Sequence, residues 1–377
     1  MDTNNIIYLD NNATTPIDKR VIAEMLPFFT DYFANPSSVH SFGRYIHKAV
    51  ANAREQVASL IEATPSEIIF TSGATESINL ALKGIALAHQ HKGKHIITCQ
   101  TEHKAVLDTC SYLEQIGFDV TYLPVEKDGV INMDTFRNTL KSDTILVAIM
   151  WVNNETGVIQ PIRDIINLTH QNGSLFFTDA TQAVGKIPID VFNLDIDLLS
   201  FSSHKFYGAR GIGGLFVKKG IKLLSQLHGG GHEFGLRSGT SNVPAIIGFG
   251  KACEIALKEM VIDAENIINL RNYLETELLK ITGSFINGNL KERIFNTTNI
   301  YLPNFDANFF IDKQKNVAVS NGSACTSALI QPSHVLNSMG LSNEESLGSL
   351  RISLGKMNTL SEIKEFVKII NLFIKSE

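Results

Sequence analysis

Short apolar runs alternate with longer stretches of helical period through the first two thirds of this chain. "SEIIF" ends at Phe70, "HIITC" at Cys99, "TILVAIMWV" at Val152, "SLFFT" at Thr178 and "DLLSF" at Phe201. Runs of this length, rich in Ile, Val and Phe, read as buried strands. Between them, Ile46, Val50, Ala53, Val57, Leu60 and Ile61 recur at the spacing of one helix face. Alternation of this kind predicts an α/β domain built on a mostly parallel sheet.

The pattern then changes. A long helical stretch without strands spans about 251–280, followed by strand-like pieces ("TTNIYL", "NVAVS", "LRISL") mixed with helix. Near the C-terminus Leu360, Ile363, Val367, Ile370 and Ile374 fall on one helix face, with Thr359 and Glu362 spaced as a capping box. A chain of 377 residues exceeds what one core usually supports. The expected division is a large domain over 16–255 and a smaller α+β domain made of 1–15 and 256–377.

Composition narrows the function. With 44% hydrophobic and 19% charged residues, the chain has the makeup of a globular protein rather than a disordered one. A net charge of −5 with no long run of one sign gives no ground for direct nucleic-acid binding. The N-terminus lacks the features of a secretory signal, and no apolar run is long enough to span a membrane, so a cytoplasmic location is expected. The four cysteines, Cys99, Cys110, Cys253 and Cys325, form neither a CxxC pair nor a zinc spacing, so no metal is expected.

In open α/β sheets, ligands bind beyond the carboxyl ends of the strands. After Phe70 comes "TSGATES", a glycine and small hydroxyl residues opening a helix, where backbone N–H groups with Thr71, Ser72 and Thr75 make a phosphate site. The next strand ends bring His103, then Asn153, Asn154 and Glu155, then Asp179 and Gln182, and finally Ser202, His204 and Lys205. Each alone reads as an ordinary polar residue at a strand end. Together they assemble an amine, a carboxylate, an imidazole, amides and hydroxyls around one rim.

Pyridoxal phosphate uses all of these groups. It needs a lysine to form a Schiff base, which is Lys205, and a carboxylate at the pyridine nitrogen, which is Asp179. Gln182 suits the ring oxygen and His103 the ring face. Thr75, Ser202 and His204 suit the phosphate.

With these residues in place, the sequence resembles the cysteine desulfurases of the NifS/IscS type, within the class V aminotransferase-like, fold type I pyridoxal phosphate enzymes. The resemblance runs nearly end to end. It is carried by "YLDNNATTP" (8–16), "NPSSVHSFGR" (35–44), "TSGATES" (71–77), "TEHKAV" (101–106), "NNETGVIQPI" (153–162), "DATQAVGK" (179–186), "SFSSHKFYG" (200–208), "GGGHEFGLRSGT" (229–240), "GSACTS" (322–327), "SHVL" (333–336) and "LRISLG" (350–355). It implies a homodimer. It also implies that Asp179, Gln182 and Asn154 hold the ring, that Ala74, Thr75, Ser202 and His204 surround the phosphate, and that Thr240 reaches the phosphate of the neighbouring subunit. Arg351 would grip the carboxylate of L-cysteine, a task suited to a planar guanidinium, with Asn154 beside it.

Cys325 has Gly322, Ser323, Ala324, Thr326 and Ser327 around it. Small polar neighbours fit an accessible thiol rather than a small core hydrophobe, whereas Cys99, Cys110 and Cys253 fit the core. The resemblance implies that Cys325 takes sulfur from the substrate as a persulfide, releases alanine, and passes the sulfur to an acceptor protein. The acceptor would serve iron–sulfur cluster assembly, tRNA thiolation or DNA phosphorothioation. Two departures mark this chain: Ala209-Arg210 where the family has Pro-Lys, and Phe234 where it has arginine. Its C-terminus also lacks the extension with which housekeeping members dock their scaffold, leaving room for a specialised role. The competing readings are another class V enzyme, such as a selenocysteine lyase or an aminotransferase, and a non-catalytic scaffold that activates a partner.

Overall fold

The computed structural model describes residues 6–322 and 332–376. Its strands, in chain order, are β1 (Ile7–Tyr8), β2 (Ile68–Thr71), β3 (His95–Cys99), β4 (Asp119–Leu123), β5 (Thr144–Ala148), β6 (Leu175–Asp179), β7 (Leu198–Ser202), β8 (Gly213–Val217), β9 (Phe285–Ile286), β10 (Thr297–Tyr301), β11 (Val317–Ala318) and β12 (Ser349–Ser353). Seven of them form the central sheet, in the order β2-β8-β7-β6-β5-β3-β4. All neighbours are parallel except β8, which runs antiparallel to both β2 and β7.

Strand alternation sorts the side chains onto two faces. Ile68, Phe70, Val147, Phe176 and Phe201 face one apolar cluster, covered by the helix Ser41–Leu60 and the first half of the helix Val243–Leu278. Ile69, Leu146, Phe177, Leu198 and Leu215 face the other, under the helices Ala74–His89 and Lys104–Gln115. With helices on both faces, the strand ends are left free to build a site.

A third cluster gathers Leu274, Leu278, Ile300, Ile352, Ile363 and Phe366 with Ile7 and Leu9 from the N-terminus. Here β12, β10 and β9 form an antiparallel sheet, while β1 pairs in parallel with β11. The chain's first strand is therefore tied to its last third.

The structure adjusts several expectations. The long helix begins at Val243 rather than near 251, because Asn242 caps it and Pro244 suits a first turn. The strands β4 and β8 carry weak sequence signals. In β8 the cause is Gly213 and Gly214: a Cβ at Gly213 would lie 2.7 Å from Gly73, and one at Gly214 would lie 2.8 Å from the Phe201 ring. In the helix Leu360–Ser376, Ile363, Val367 and Ile370 are buried, but Leu360 at its start is exposed. The capping box is formed, with Thr359 N donating to Glu362 Oε2 at 2.7 Å and Glu362 N donating back to Thr359 Oγ1 at 3.3 Å.

Candidate active site

A cleft of about 710 Å³ opens beyond the carboxyl ends of the parallel strands. It brings together Ala74, Thr75, His103, Asn154, Asp179 and Gln182 with Ser202, His204, Lys205 and Arg351. Cys325 lies outside the described residues. Thr240 is exposed, away from this cleft.

Lys205 closes the short 3-10 turn that follows β7. Its Nζ donates to the carbonyls of Asn12 at 2.7 Å and Ala13 at 2.8 Å. Among the described residues, no carboxylate touches the amine. Burial, with help from nearby Arg351, pushes its pKa down to about 8, against the pull of Asp179 and Asp10. An amine that sheds its proton near neutrality is a usable nucleophile.

Asp179 ends β6 and is buried. Its Oδ1 accepts from the backbone N–H of Thr181 at 3.0 Å and from Ser200 Oγ at 3.5 Å. His103 caps the helix Lys104–Gln115, its Nδ1 accepting from Ala105 N at 3.1 Å. An accepting Nδ1 leaves the proton of the neutral ring on Nε2. Burial lowers this histidine's pKa and so favours the neutral ring, with Asp179 opposing. His204 is pushed down to about 4 by burial and the cations Lys205 and Arg210, and its Nδ1 meets Thr14 Oγ1 at 3.1 Å.

The helix Ala74–His89 starts at Gly73 with no side-chain cap, so its first backbone N–H groups stay free for an anion. Thr71 does not assist, contrary to the sequence reading. It is buried, and its hydroxyl is paired with Ser77 Oγ at 2.7 Å and directed to the Gly73 carbonyl. Ser72 and Thr75 stay at the cleft. The donor set as a whole, comprising amine, carboxylate, neutral imidazole and an open helix start, fits pyridoxal phosphate.

Arg351 sits in β12, next to the N-terminal segment. Its Nη2 donates to Asp10 Oδ1 at 2.7 Å and its Nη1 to the Asn154 carbonyl at 3.3 Å, while its buried Nε has no partner among the described residues. Glu155 is fully buried and accepts from Ser333 Oγ at 2.5 Å. Burial pushes its pKa up to about 7, opposed by Ser333 and Arg351.

Sequence reasoning assigned no role to Asp10, Asn12, Ala13 or Thr14, yet all line the cleft. Asn12 is its hub. The Asn12 carbonyl accepts from Lys205 and Gln182, and its amide NH2 donates to Thr297 Oγ1 at 2.9 Å and to the Asn154 carbonyl at 3.1 Å. The signal was a polar run, "DNNATT", placed directly after an apolar strand. Of the departures, Ala209 is buried, Arg210 lines the cleft, and Phe234 is exposed.

The chain's residues 7–366 match the class-V aminotransferase family. A cysteine desulfurase IscS of Methanosarcina thermophila is 46% identical over 97% of this chain and 91% of its own length. A solved structure of a NifS-like protein superposes with a TM-score of 0.93 at 39% identity, covering 99% of this chain and 100% of that one. SspA in complex with cysteine gives a TM-score of 0.83 at 39% identity, over 93% of this chain and 99% of that one.

Proposed function

The chain belongs to the class-V aminotransferase family, in its pyridoxal-phosphate-dependent cysteine desulfurase branch, and from that premise we propose that it converts L-cysteine to L-alanine and carries the sulfur away on Cys325. The supporting observation is the cleft itself, in which a half-buried amine with its pKa pushed down to about 8 stands beside a buried carboxylate and a guanidinium.

Pyridoxal phosphate, when bound, supplies an aldehyde for an amine and a ring that takes up electrons. Lys205 is the amine for that aldehyde. With the cofactor bound, Asp179 would stabilise a proton on the ring nitrogen, and Gln182 would donate toward the ring oxygen. His103 would pack on the ring face, holding a transferable proton at Nε2. Ala74, Thr75, Ser202 and His204 would receive the phosphate, and Thr240 would reach that of a second subunit. Arg351 and Asn154 orient the substrate carboxylate. The Cys325 thiol takes the substrate's sulfur: its Cβ–S bond breaks, an S–S bond forms, and Cβ gains a proton to become the methyl group of alanine.

The assembly is a cytoplasmic homodimer. Leu26, Phe29, Phe33 and Val39 are exposed apolar side chains from one stretch, and Thr240 is exposed as well. No helix among the described residues is long and apolar enough to cross a membrane. Residues 16–255 form one unit, and 1–15 with 256–377 form the other, sharing the helix Val243–Leu278. The acceptor is a protein serving iron–sulfur cluster assembly, tRNA thiolation or DNA phosphorothioation.

Cys325→Ala tests the reading. The variant should bind pyridoxal phosphate as the parent does, yet release alanine at least about 100-fold more slowly with a reductant present. Alanine and sulfide at the parent rate would instead point to another class V activity.

A further inference from the structure

A second lysine lies behind the first. Lys186 is about nine-tenths buried, and no carboxylate contacts it among the described residues. Its Nζ donates to Gln182 Oε1 at 2.6 Å and approaches Asn12 Oδ1 at 3.4 Å. The turn after β6 puts residues 182 and 186 on the same side, because Val184 N bonds to Ala180 O and Ile187 N to Ala183 O. Gly185, at φ 75°, lets the Phe206 ring pack against its backbone, which seats this turn beside Lys205.

The arrangement costs free energy, since a buried amine without an ionic partner is pushed toward its neutral form. Burial first, then Lys205 and Arg351, lower the Lys186 pKa to about 7. Asp263 lines a cavity of about 30 Å³ shared with Lys186 and Lys205 but does not bond to either. A leucine or methionine would fill the place at less cost, so the amine has a task there.

That task is legible in the hydrogen bonds. A glutamine amide is a donor at one end and an acceptor at the other, and the two ends are nearly equal in shape. Protonated, Lys186 can only donate, and a carbonyl can only accept. Lys186 therefore claims Oε1, while the Asn12 carbonyl takes one hydrogen of the NH2 at 3.0 Å. The second hydrogen remains for the cleft, which Gln182 lines. The same Asn12 carbonyl holds Lys205 Nζ at 2.7 Å, so the two lysines are joined through two polar groups, the Gln182 amide and the Asn12 carbonyl.

We propose that Lys186 is a positioning residue for the cofactor site, fixing the Gln182 amide so that it presents only a donor to the cofactor's ring oxygen. This rests on the reading of Gln182 and Lys205 as cofactor contacts. Without Lys186, Oε1 loses its donor, and the flipped amide, which turns an acceptor toward that oxygen, is opposed by the Asn12 carbonyl alone.

The test is a double-mutant cycle on the holoenzyme with Lys186→Met, Gln182→Leu and both together, read by pyridoxal phosphate affinity and by the pH midpoint of the bound cofactor's absorbance change. Lys186→Met should weaken affinity about 5- to 10-fold, the scale of one hydrogen bond. It should also move the midpoint to higher pH, since a donor and a nearby cation both favour the deprotonated form. In the Gln182→Leu background the same change should add less than about 2-fold. Equal effects in both backgrounds, or an unmoved midpoint in Lys186→Met, overturn the proposal. A Gln182→Leu variant that binds the cofactor normally overturns the reading beneath it as well. If Lys186→Met does not fold, Lys186→Gln removes the cation with a smaller change in polarity, and an unmoved midpoint there also overturns the proposal.

Discussion

Lys205 and Arg351 share a cleft in which burial sets the chemistry of one and geometry that of the other. Lys205 is held neutral-prone by desolvation, so its reaction with an aldehyde is gated by pH. Below a pKa of about 8 the ammonium has no lone pair to offer. The rate of cofactor loading into the apoprotein should therefore rise about tenfold per pH unit up to that value and flatten above it. Stopped-flow absorbance across pH 6–10 measures this, and a midpoint in the ordinary lysine range would mean the amine is solvated. Arg351 depends on its planar fork, one arm of which is already engaged by Asp10. Arg351→Lys keeps the charge but loses the paired geometry. Its KM for L-cysteine should rise about 10- to 100-fold while pyridoxal phosphate affinity stays within about twofold. Steady-state kinetics beside a cofactor titration separate the two.

At the scale of elements, the segment around Phe234 is held by an ion pair to the helix Ser41–Leu60 and by a hydrogen bond to β2. Glu233 accepts from Arg54 through both oxygens at 2.7 Å and from the Phe70 backbone N–H at 2.9 Å. Arg54 also lies 4.4 Å from the Phe70 ring and 5.3 Å from the Phe234 ring. The two charged side chains are only 13% and 8% exposed, so this pair is not a surface bridge. Phe234 itself is exposed and takes a left-handed backbone at φ 57°. Glu233→Ala leaves a backbone N–H unpaired and a largely buried guanidinium with no ionic partner, only the Ile68 carbonyl, and should cost about 3 kcal/mol. Urea unfolding of the apoprotein at fixed concentration reads this directly; a loss below about 1 kcal/mol would place the pair with solvated bridges.

For the whole molecule, Leu26, Phe29, Phe33 (73%) and Val39 (86%) put exposed apolar side chains close together in sequence, outside the cleft. Light scattering should give the mass of two chains. In the proposed homodimer, Phe33→Glu sets a charge in the shared face and should shift the population toward one chain and lower cofactor affinity, because Thr240 would then have no neighbour to reach. An unchanged mass would move the interface elsewhere.

The sequence by itself determined five strands of the central sheet, but not β4 or β8. Buried parallel strands are continuous apolar runs bounded by polar ends, and β3, β6 and β7 fall where those runs do. It also determined that His103, Asp179, Gln182 and Lys205 share a rim, because each follows such a strand and strand ends in one sheet are neighbours. Only the tertiary structure decided the rest. Thr71 looked like an anion ligand but is turned inward to Ser77, a contact that depends on helix placement. The Asp10–Arg351 pair joins residues 341 positions apart, and no local pattern encodes it. Nothing along the chain marks Lys186 as buried. Its burial, and the Asn12 carbonyl that links it through Gln182 to Lys205, arise only where the N-terminal segment is threaded between the central sheet and β12, because desolvation and hydrogen-bond partners belong to packing and not to residue type.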